Sequence, residues 1–178
     1  MNKWIKENQE IYKAKSSIVK INDQDISYLK NNVLHTPYKR IRICAHQDIS
    51  HLLHEMVIVI AKGSYVRPHK HINKSESFHM IEGQLDVVIF NDEGNIFEVI
   101  SMGDISSGKN FFYRLSANHF HSLILKSDLV IFHETTQGPF LKSDTIWAPW
   151  SPIVGDILEK EFLDHLDRRV ADFCSKAV

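Results

Sequence analysis

The spacing of apolar and polar positions between residues 55 and 134 is typical of short β-strands. Short apolar runs are separated by turn signals, among them residues 83–84 and 91–94, where glycine and Asn/Asp accept the backbone angles of tight turns. The pattern predicts strands near residues 55–61, 64–71, 77–82, 84–90, 95–101, 111–115, 119–125 and 129–134. Strands of this number and size favour an all-β, double-sheet jelly roll.

Both ends of the chain have a different pattern. Polar residues at 22–25 can cap a short helix over residues 26–32. From Gly155 onward, apolar residues recur at helical spacing: Ile157, Leu158, Phe162, Leu166, Val170 and Phe173. We therefore expect a lead-in at 1–39 that packs on the barrel, a β-barrel with a covering strap at 40–152, and a C-terminal α-helix at 153–178.

Residues 40–46 alternate strictly enough to form one more strand. Arg40, Arg42, Cys44 and His46 would share one face, and Ile41, Ile43 and Ala45 the other. Two arrangements remain open. The arginine face either points into the barrel, where it would supply cations for an anionic ligand, or it is solvated while the isoleucines lie in the core.

Composition narrows the partners and the location that we expect. The 178 residues include 22 acidic and 21 basic side chains, which gives no electrostatic reason to expect a nucleic-acid or membrane partner. The longest aliphatic run, residues 56–61, is too short to cross a bilayer, and the first twelve residues lack a signal-like apolar stretch. We expect a cytoplasmic protein.

Candidate metal chemistry is concentrated between Gly63 and Gly83. His69 and His71 are two residues apart, so on a strand both side chains point to the same face. A turn would bring Glu76 to them from the next strand. Two imidazoles and a carboxylate in one hairpin predict a site for a divalent transition metal ion.

The same stretch resembles the first signature of the cupin superfamily: Gly, five residues, His-x-His, four residues, Glu, six residues, Gly. The resemblance implies a double-stranded β-helix and a fourth ligand, a histidine from a later strand. His121 falls at that position after a turn at residues 116–118, although the usual proline and glycine of this second signature are replaced. His119 is the alternative ligand. His79 is an odd number of residues from Glu76 on the same strand, so its side chain is expected to point to the opposite face.

The quartet of His69, His71, Glu76 and His121 would leave open positions for oxygen ligands on Fe(II), Mn(II), Ni(II) or Zn(II), among which the sequence does not choose. Residues sharing strand parity with these ligands are candidates for substrate contact. They are Tyr65, Arg67, Tyr113 and Glu134, and His46 is the further histidine expected to approach the pocket. For Arg67, a role in holding a loop at the rim remains equally open.

More narrowly, four stretches resemble the WbuC family of cupin-fold metalloproteins: Ser64-Tyr-Val-Arg-Pro-His-Lys-His71, Lys74-Ser-Glu-Ser-Phe-His79, Ile131-Phe-His-Glu-Thr-Thr-Gln-Gly-Pro-Phe140 and Trp147-Ala-Pro-Trp150. This resemblance implies a role in bacterial surface-polysaccharide (lipopolysaccharide) biosynthesis, with a sugar-like or sugar-nucleotide-like ligand. Catalysis is left open: the protein is either a metal-dependent sugar isomerase, epimerase or lyase, or a non-catalytic carbohydrate-binding or regulatory module. An Fe(II) dioxygenase is a third alternative, and we expect a homodimer.

Overall fold

The computed structural model describes residues 2–116 and 118–176, which form two facing β-sheets. The first strands are β1 (Trp4–Lys6), β2 (Ile11–Ala14), β3 (Arg40–Cys44) and β4 (Leu53–Ala61), with helix α1 (Asp23–Asn32) before β3. The remaining strands are β5 (His69–His71), β6 (Glu76–Glu82), β7 (Gln84–Phe90), β8 (Ile96–Gly103), β9 (Phe112–Leu115), β10 (Phe120–Leu125), β11 (Leu129–Gln137) and β12 (Thr145–Trp147). Helix α2 (Glu159–Lys176) ends the described chain, and short 3-10 turns lie at 33–35, 105–107 and 142–144.

The larger sheet has the strand order β1-β2-β3-β4-β11-β6-β9 and the smaller one β12-β5-β10-β7-β8. Their pairings are antiparallel except for the parallel pair of β2 and β3. Consecutive strands cross repeatedly from one sheet to the other, so the two sheets enclose a common core. This is a double-sheet jelly roll with a C-terminal helix, and the predicted all-β fold class is confirmed.

The barrel interior is filled by apolar side chains from both sheets, including Ile58, Phe78, Phe132, Val87 and Leu123. On β3, Cys44 belongs to this interior cluster, whereas Ile41 and Ile43 belong to a different one. Because side chains alternate along a strand, Arg40 and Arg42 share the inner face with Cys44. The structure thus selects the arrangement in which the arginine face points into the barrel.

Each sheet is also covered on its outer face. Over the larger sheet, Trp4, Tyr12, Leu29 and Val33 pack against β3, β4 and β11. Over the smaller sheet, Leu166 and Val170 of α2 pack with Phe90 and Phe120. Burial on both faces explains why residues 56–61 of β4 are continuously apolar instead of alternating.

The lead-in adds strands as well as a helix. Through β2 it joins the larger sheet, which therefore continues across the predicted boundary at residue 39. Helix α1 begins at Asp23, three residues before the predicted start, because Asn22 and Asp25 form a reciprocal capping box. At the other end, α2 begins at Glu159, which leaves Ile157 and Leu158 exposed before the helix.

The turn between β6 and β7 requires glycine. Gly83 has a φ of 82°, and a Cβ at this position would clash with the carbonyl oxygen of Leu129. The strap at 148–152 lies over the smaller sheet, where Trp150 contacts Phe90, Phe120 and Phe162. Within residues 2–116 and 118–176, neither helix is long and apolar enough to span a membrane.

The outer layer on the larger sheet leads to a test of stability. Leu29 of α1 is fully buried, whereas Leu34, just beyond the helix, is 69% exposed. We expect Leu29→Ala to lower the free energy of unfolding by about 2 to 5 kcal/mol, because it removes core contacts and leaves a cavity. Leu34→Ala, the matched control, should change it by less than about 0.5 kcal/mol. Equal urea midpoints for the two variants would show that α1 does not belong to the cooperative core.

Candidate metal centre

Four side chains predicted as ligands come from three strands. His69 and His71 lie on β5, and His121 lies directly opposite His69 on β10 in the same sheet. Glu76 is the first residue of β6, in the other sheet. The short connection from β5 to β6 crosses between the sheets, and the backbone N–H of Asn73 there donates to Asn118 Oδ1 (3.2 Å). The structure thus places histidines from one sheet against a carboxylate from the other.

The three histidines form a compact group that could hold a metal ion, with one nitrogen from each ring lying within 4.8 Å of the others. Glu76 closes the arrangement: its Oε1 is 3.0 Å from His121 Nε2 and its Oε2 is 3.5 Å from His71 Nε2. Two donors about 2.1 Å from one ion at a right angle lie about 3.0 Å apart. The spacing between Glu76 and His121 fits that geometry, and the donor set of imidazoles and a carboxylate suits Fe(II), Mn(II), Ni(II) or Zn(II).

The other nitrogen of each ring is held by a neighbour. His69 Nδ1 lies 2.8 Å from the carbonyl oxygen of Arg67, and His121 Nδ1 lies 3.1 Å from that of His119. A carbonyl only accepts, so both rings carry a proton on Nδ1, and Nε2 is the nitrogen of each ring that faces the centre. His71 Nδ1 contacts Thr145 Oγ1 at 3.3 Å. Such partners fix the orientation of ligating imidazoles.

Burial and mutual charge determine the protonation of the group. Burial, followed by the charge of His121, lowers the pKa of His69 to about 3, so His69 is neutral near pH 7. Burial alone would raise the pKa of Glu76, but His121 and His71 hold it well below the usual value. The same carboxylate raises the pKa of His121 against the effect of burial. Without a cation, Glu76 and His121 therefore form a buried ion pair.

Two of the predicted substrate residues lie beside this group on the inner face of the larger sheet. Tyr113 is buried and donates its hydroxyl hydrogen bond to Glu76 Oε1 at 2.8 Å. Burial and the Glu76 charge raise the pKa of Tyr113, which keeps the phenol protonated. Glu134 pairs with Phe78 and is half-buried; burial, and then repulsion by Glu76, raise its pKa to about 7. A cation bound to the quartet would oppose this increase.

Tyr65 and Arg67 are not brought to the centre, contrary to our expectation. The chain from 64 to 68 is not a strand, so the parity argument does not apply there. The Tyr65 hydroxyl donates to the Pro152 carbonyl (3.0 Å), and burial raises its pKa to about 12. Arg67 Nε donates to Ser151 Oγ (3.1 Å) and Nη2 to the Ala148 carbonyl (3.2 Å). Both side chains fasten the strap, which is the loop-holding alternative for Arg67.

His46 is also placed away from the quartet. Its ring stacks on that of His54, with centroids 4.0 Å apart and planes within 10° of parallel. His54 pairs with Thr136 of β11, which in turn pairs with Glu76, so β11 lies between the His46–His54 pair and Glu76. His46 Nδ1 and His54 Nε2 are buried without a hydrogen-bond partner in the described part of the chain.

The alternative histidines lie elsewhere. His79 is exposed on the opposite face of β6 from Glu76, as expected from parity. The ring of His119 stacks on Phe97 at 5.6 Å, and its carbonyl contacts His121. The predicted turn at 116–118 falls partly outside the described residues, since residue 117 is not among them.

Sequence reasoning missed the contribution of β12. This strand pairs with the outer edge of β5, placing Thr145 opposite His71 and Trp147 opposite His69. The Trp147 ring centroid lies 5.3 Å from that of His69, and Arg67 Cζ lies 5.5 Å from the Trp147 ring centroid. A strand of three residues within a proline-rich stretch is too short to show the alternation of apolar and polar residues by which strands are predicted from sequence.

Comparisons with known proteins leave the activity open. A family model described as a domain of unknown function (DUF6016) matches residues 21–102, and no curated protein matches the chain. Three solved structures are similar. They are a protein from Shewanella oneidensis (12% identity, TM-score 0.47), oxalate decarboxylase from Bacillus subtilis at pH 4.6 (22%, 0.44) and the cupin domain of Cnp3 from Schizosaccharomyces pombe (13%, 0.43).

The similarities cover 55%, 56% and 56% of this chain and 63%, 24% and 64% of the respective structures. In each case the chain covers less than two-thirds of the other protein. At these TM-scores, no property of those proteins transfers to this one.

The quartet leads to a test of the ligand set. Alanine at His69, His71, Glu76 or His121 should lower the affinity for Mn(II) or Zn(II) by more than about tenfold, because each change removes a donor atom. His79→Ala and His119→Ala are the matched histidine controls and should keep wild-type metal content. Elemental analysis of the six purified variants measures the metal that each retains, which falls as the affinity falls. Loss of metal in His119→Ala with full occupancy in His121→Ala would assign the fourth ligand to His119.

The buried His46–His54 pair leads to a test of pH dependence. Burial, followed by the charge of His54, lowers the pKa of His46 to about 4 from an ordinary value of 6.5. Between these values the unfolded state binds more protons than the folded state, so stability should fall as the pH falls from 6.5 to 4. We expect His46→Gln to flatten this slope in urea titrations. The exposed variant His79→Gln should leave the slope unchanged, and an equally steep slope in His46→Gln would exclude this histidine as the cause.

Proposed function

We propose that this protein is a metal-dependent cupin that binds a sugar-like or sugar-nucleotide-like ligand and catalyses an isomerase-, epimerase- or lyase-type reaction on it. The observation that carries the proposal is the convergence of three histidines whose nitrogens lie within 4.8 Å of one another, with Glu76 in contact with two of them, His121 at 3.0 Å and His71 at 3.5 Å. Four protein donors leave room for ligand oxygens around an octahedral ion. When bound, a divalent ion would polarise a carbonyl or enediolate oxygen of the ligand.

The side chains around the quartet supply the other requirements of proton transfer. Glu134 faces the barrel interior, where burial raises the pKa of its carboxyl group and a bound cation would oppose that increase, so the carboxylate is suited to accept a proton from the ligand and to return it. Tyr113 fixes the Glu76 carboxylate through its 2.8 Å hydrogen bond, which leaves Glu76 less free to serve as the base itself. In this proposal Glu134 is the proton-transfer group, and Tyr113 is a positioning residue.

Charge on the inner face favours an anionic or oxygen-rich ligand. Arg42 is half-buried on the inner face of β3. Its positive charge partly offsets the rise in the pKa of Glu134, so the two groups interact across the interior. A divalent cation beside a single ionised ligand carboxylate adds further positive charge. A ligand with a carboxylate, a phosphate or several hydroxyls complements this interior.

A second candidate is a non-catalytic module that binds the same ligand and regulates other enzymes, because Tyr65 and Arg67, two of the predicted substrate contacts, hydrogen-bond to the strap instead. An Fe(II) dioxygenase has less support, since the donor set does not favour iron over the other metals. The similarity of the sequence to the WbuC family supports a role in surface-polysaccharide biosynthesis. A homodimer, a cytoplasmic location and the absence of nucleic-acid and membrane partners stay predictions.

Ligand binding should depend on the metal. In a thermal-shift panel of nucleotide sugars, sugar acids and keto-sugars, we expect at least one member to raise the melting temperature of the metal-loaded protein, and EDTA to abolish the rise. Glu134→Gln should retain this stabilisation while losing turnover of the ligand, because the amide cannot carry the proton. Wild-type turnover in Glu134→Gln would contradict the proposed base. Stabilisation that survives metal removal would contradict metal-dependent binding.

A further inference from the structure

Trp147 combines an exposed aromatic surface with close contact to a predicted metal ligand. It stands directly opposite His69 in the β12–β5 pair, and the two rings are 5.3 Å apart. Cross-strand partners project to the same face of a sheet, so Trp147 shares the face from which His69 and His71 reach the centre. Nevertheless, Trp147 is 48% exposed. The other tryptophans differ, since Trp4 is buried and Trp150 packs among phenylalanines.

The indole is also held in place. Arg67 Cζ lies 5.5 Å from the ring centroid, and the same guanidinium donates to the Ala148 carbonyl and to Ser151. The backbone of Trp147 is fixed by its pairing with β5. A large aromatic surface that is rigid before binding loses little conformational entropy when a ligand covers it.

We propose that Trp147 is the stacking surface for the ring of the ligand and determines selectivity for cyclic sugars over acyclic oxygen ligands. The inference rests on the proposed function, since it assumes that ligand oxygens bind at the quartet. A sugar ring has C–H groups on its face and hydroxyls around its edge. An aromatic wall beside an oxygen-binding centre matches both parts at once, as in ligand sites where apolar walls accompany a few polar groups.

Two probes separate stacking from oxygen binding. D-Glucuronate and glycolate each carry a carboxylate and an adjacent oxygen function, but only D-glucuronate has a ring. Calorimetry on the Mn(II)-loaded protein should give a dissociation constant for D-glucuronate about threefold to tenfold below that for glycolate, the size of one aromatic contact. Trp147→Leu, which keeps an apolar side chain without a π-face, should bring the two constants together. Trp147→Phe should retain most of the difference.

Controls separate this inference from the proposed function and from misfolding. Mn(II) affinity should be the same in wild type, Trp147→Leu and Trp147→Phe, and Trp150→Phe, the matched change in the strap, should keep wild-type selectivity. Equal affinities for the two probes in wild type, failure of D-glucuronate to bind the Mn(II)-loaded protein, or undiminished selectivity in Trp147→Leu would overturn the role of Trp147. Absence of Mn(II) binding, or binding of D-glucuronate after EDTA, would instead overturn the proposed function.

Discussion

The buried carboxylate of Glu76 is the constraint on which the centre depends. An ionised carboxylate in the interior is costly unless several partners compensate it. Glu76 obtains them from both sheets: His121 and His71 from the smaller one, and Tyr113 from its own. These contacts join the inner faces of the two sheets at one end of the barrel. Removing a single partner would leave part of the Glu76 charge uncompensated, so we expect the stability of the whole group to depend on each of these contacts.

The covering layers explain why the interior can hold polar groups. Helix α1, with side chains of β1 and β2, buries the outer face of the larger sheet, while α2 and the strap bury that of the smaller one. Each sheet therefore gains apolar burial on a face that does not contribute to the centre. The inner face is then free to carry Arg42, Glu134 and the quartet without the fold depending on a continuous apolar interior.

Strand parity and spacing predicted the parts of the site that depend on neighbouring residues. His69, His71 and Glu76 lie close together in the sequence, so two-residue periodicity and one short connection were sufficient to relate them. The predicted hairpin was wrong, because β5 and β6 belong to different sheets and the connection crosses between them. His121 needed the pattern of a known family. The prediction that Tyr65 and Arg67 lie at the centre did not allow for Pro68, which lacks an N–H to donate to a sheet. The side chains of Tyr65 and Arg67 hydrogen-bond to the strap instead. Which face of β3 points inward depends on the lead-in covering Ile41 and Ile43, a contact between distant segments that local alternation does not determine.

The ion pair of Glu76 and His121 has a consequence for cation binding. In the absence of a cation, the carboxylate raises the pKa of His121, so a proton on the imidazole balances the buried negative charge. A metal ion needs the Nε2 lone pair that this proton occupies, because a ligating imidazole must be neutral. Binding of a metal ion here would therefore exchange one buried cation for another, and the centre would keep its charge compensation in both states. That exchange accounts for a pre-arranged carboxylate and imidazole already 3.0 Å apart, the separation expected of two neighbouring ligands on one ion.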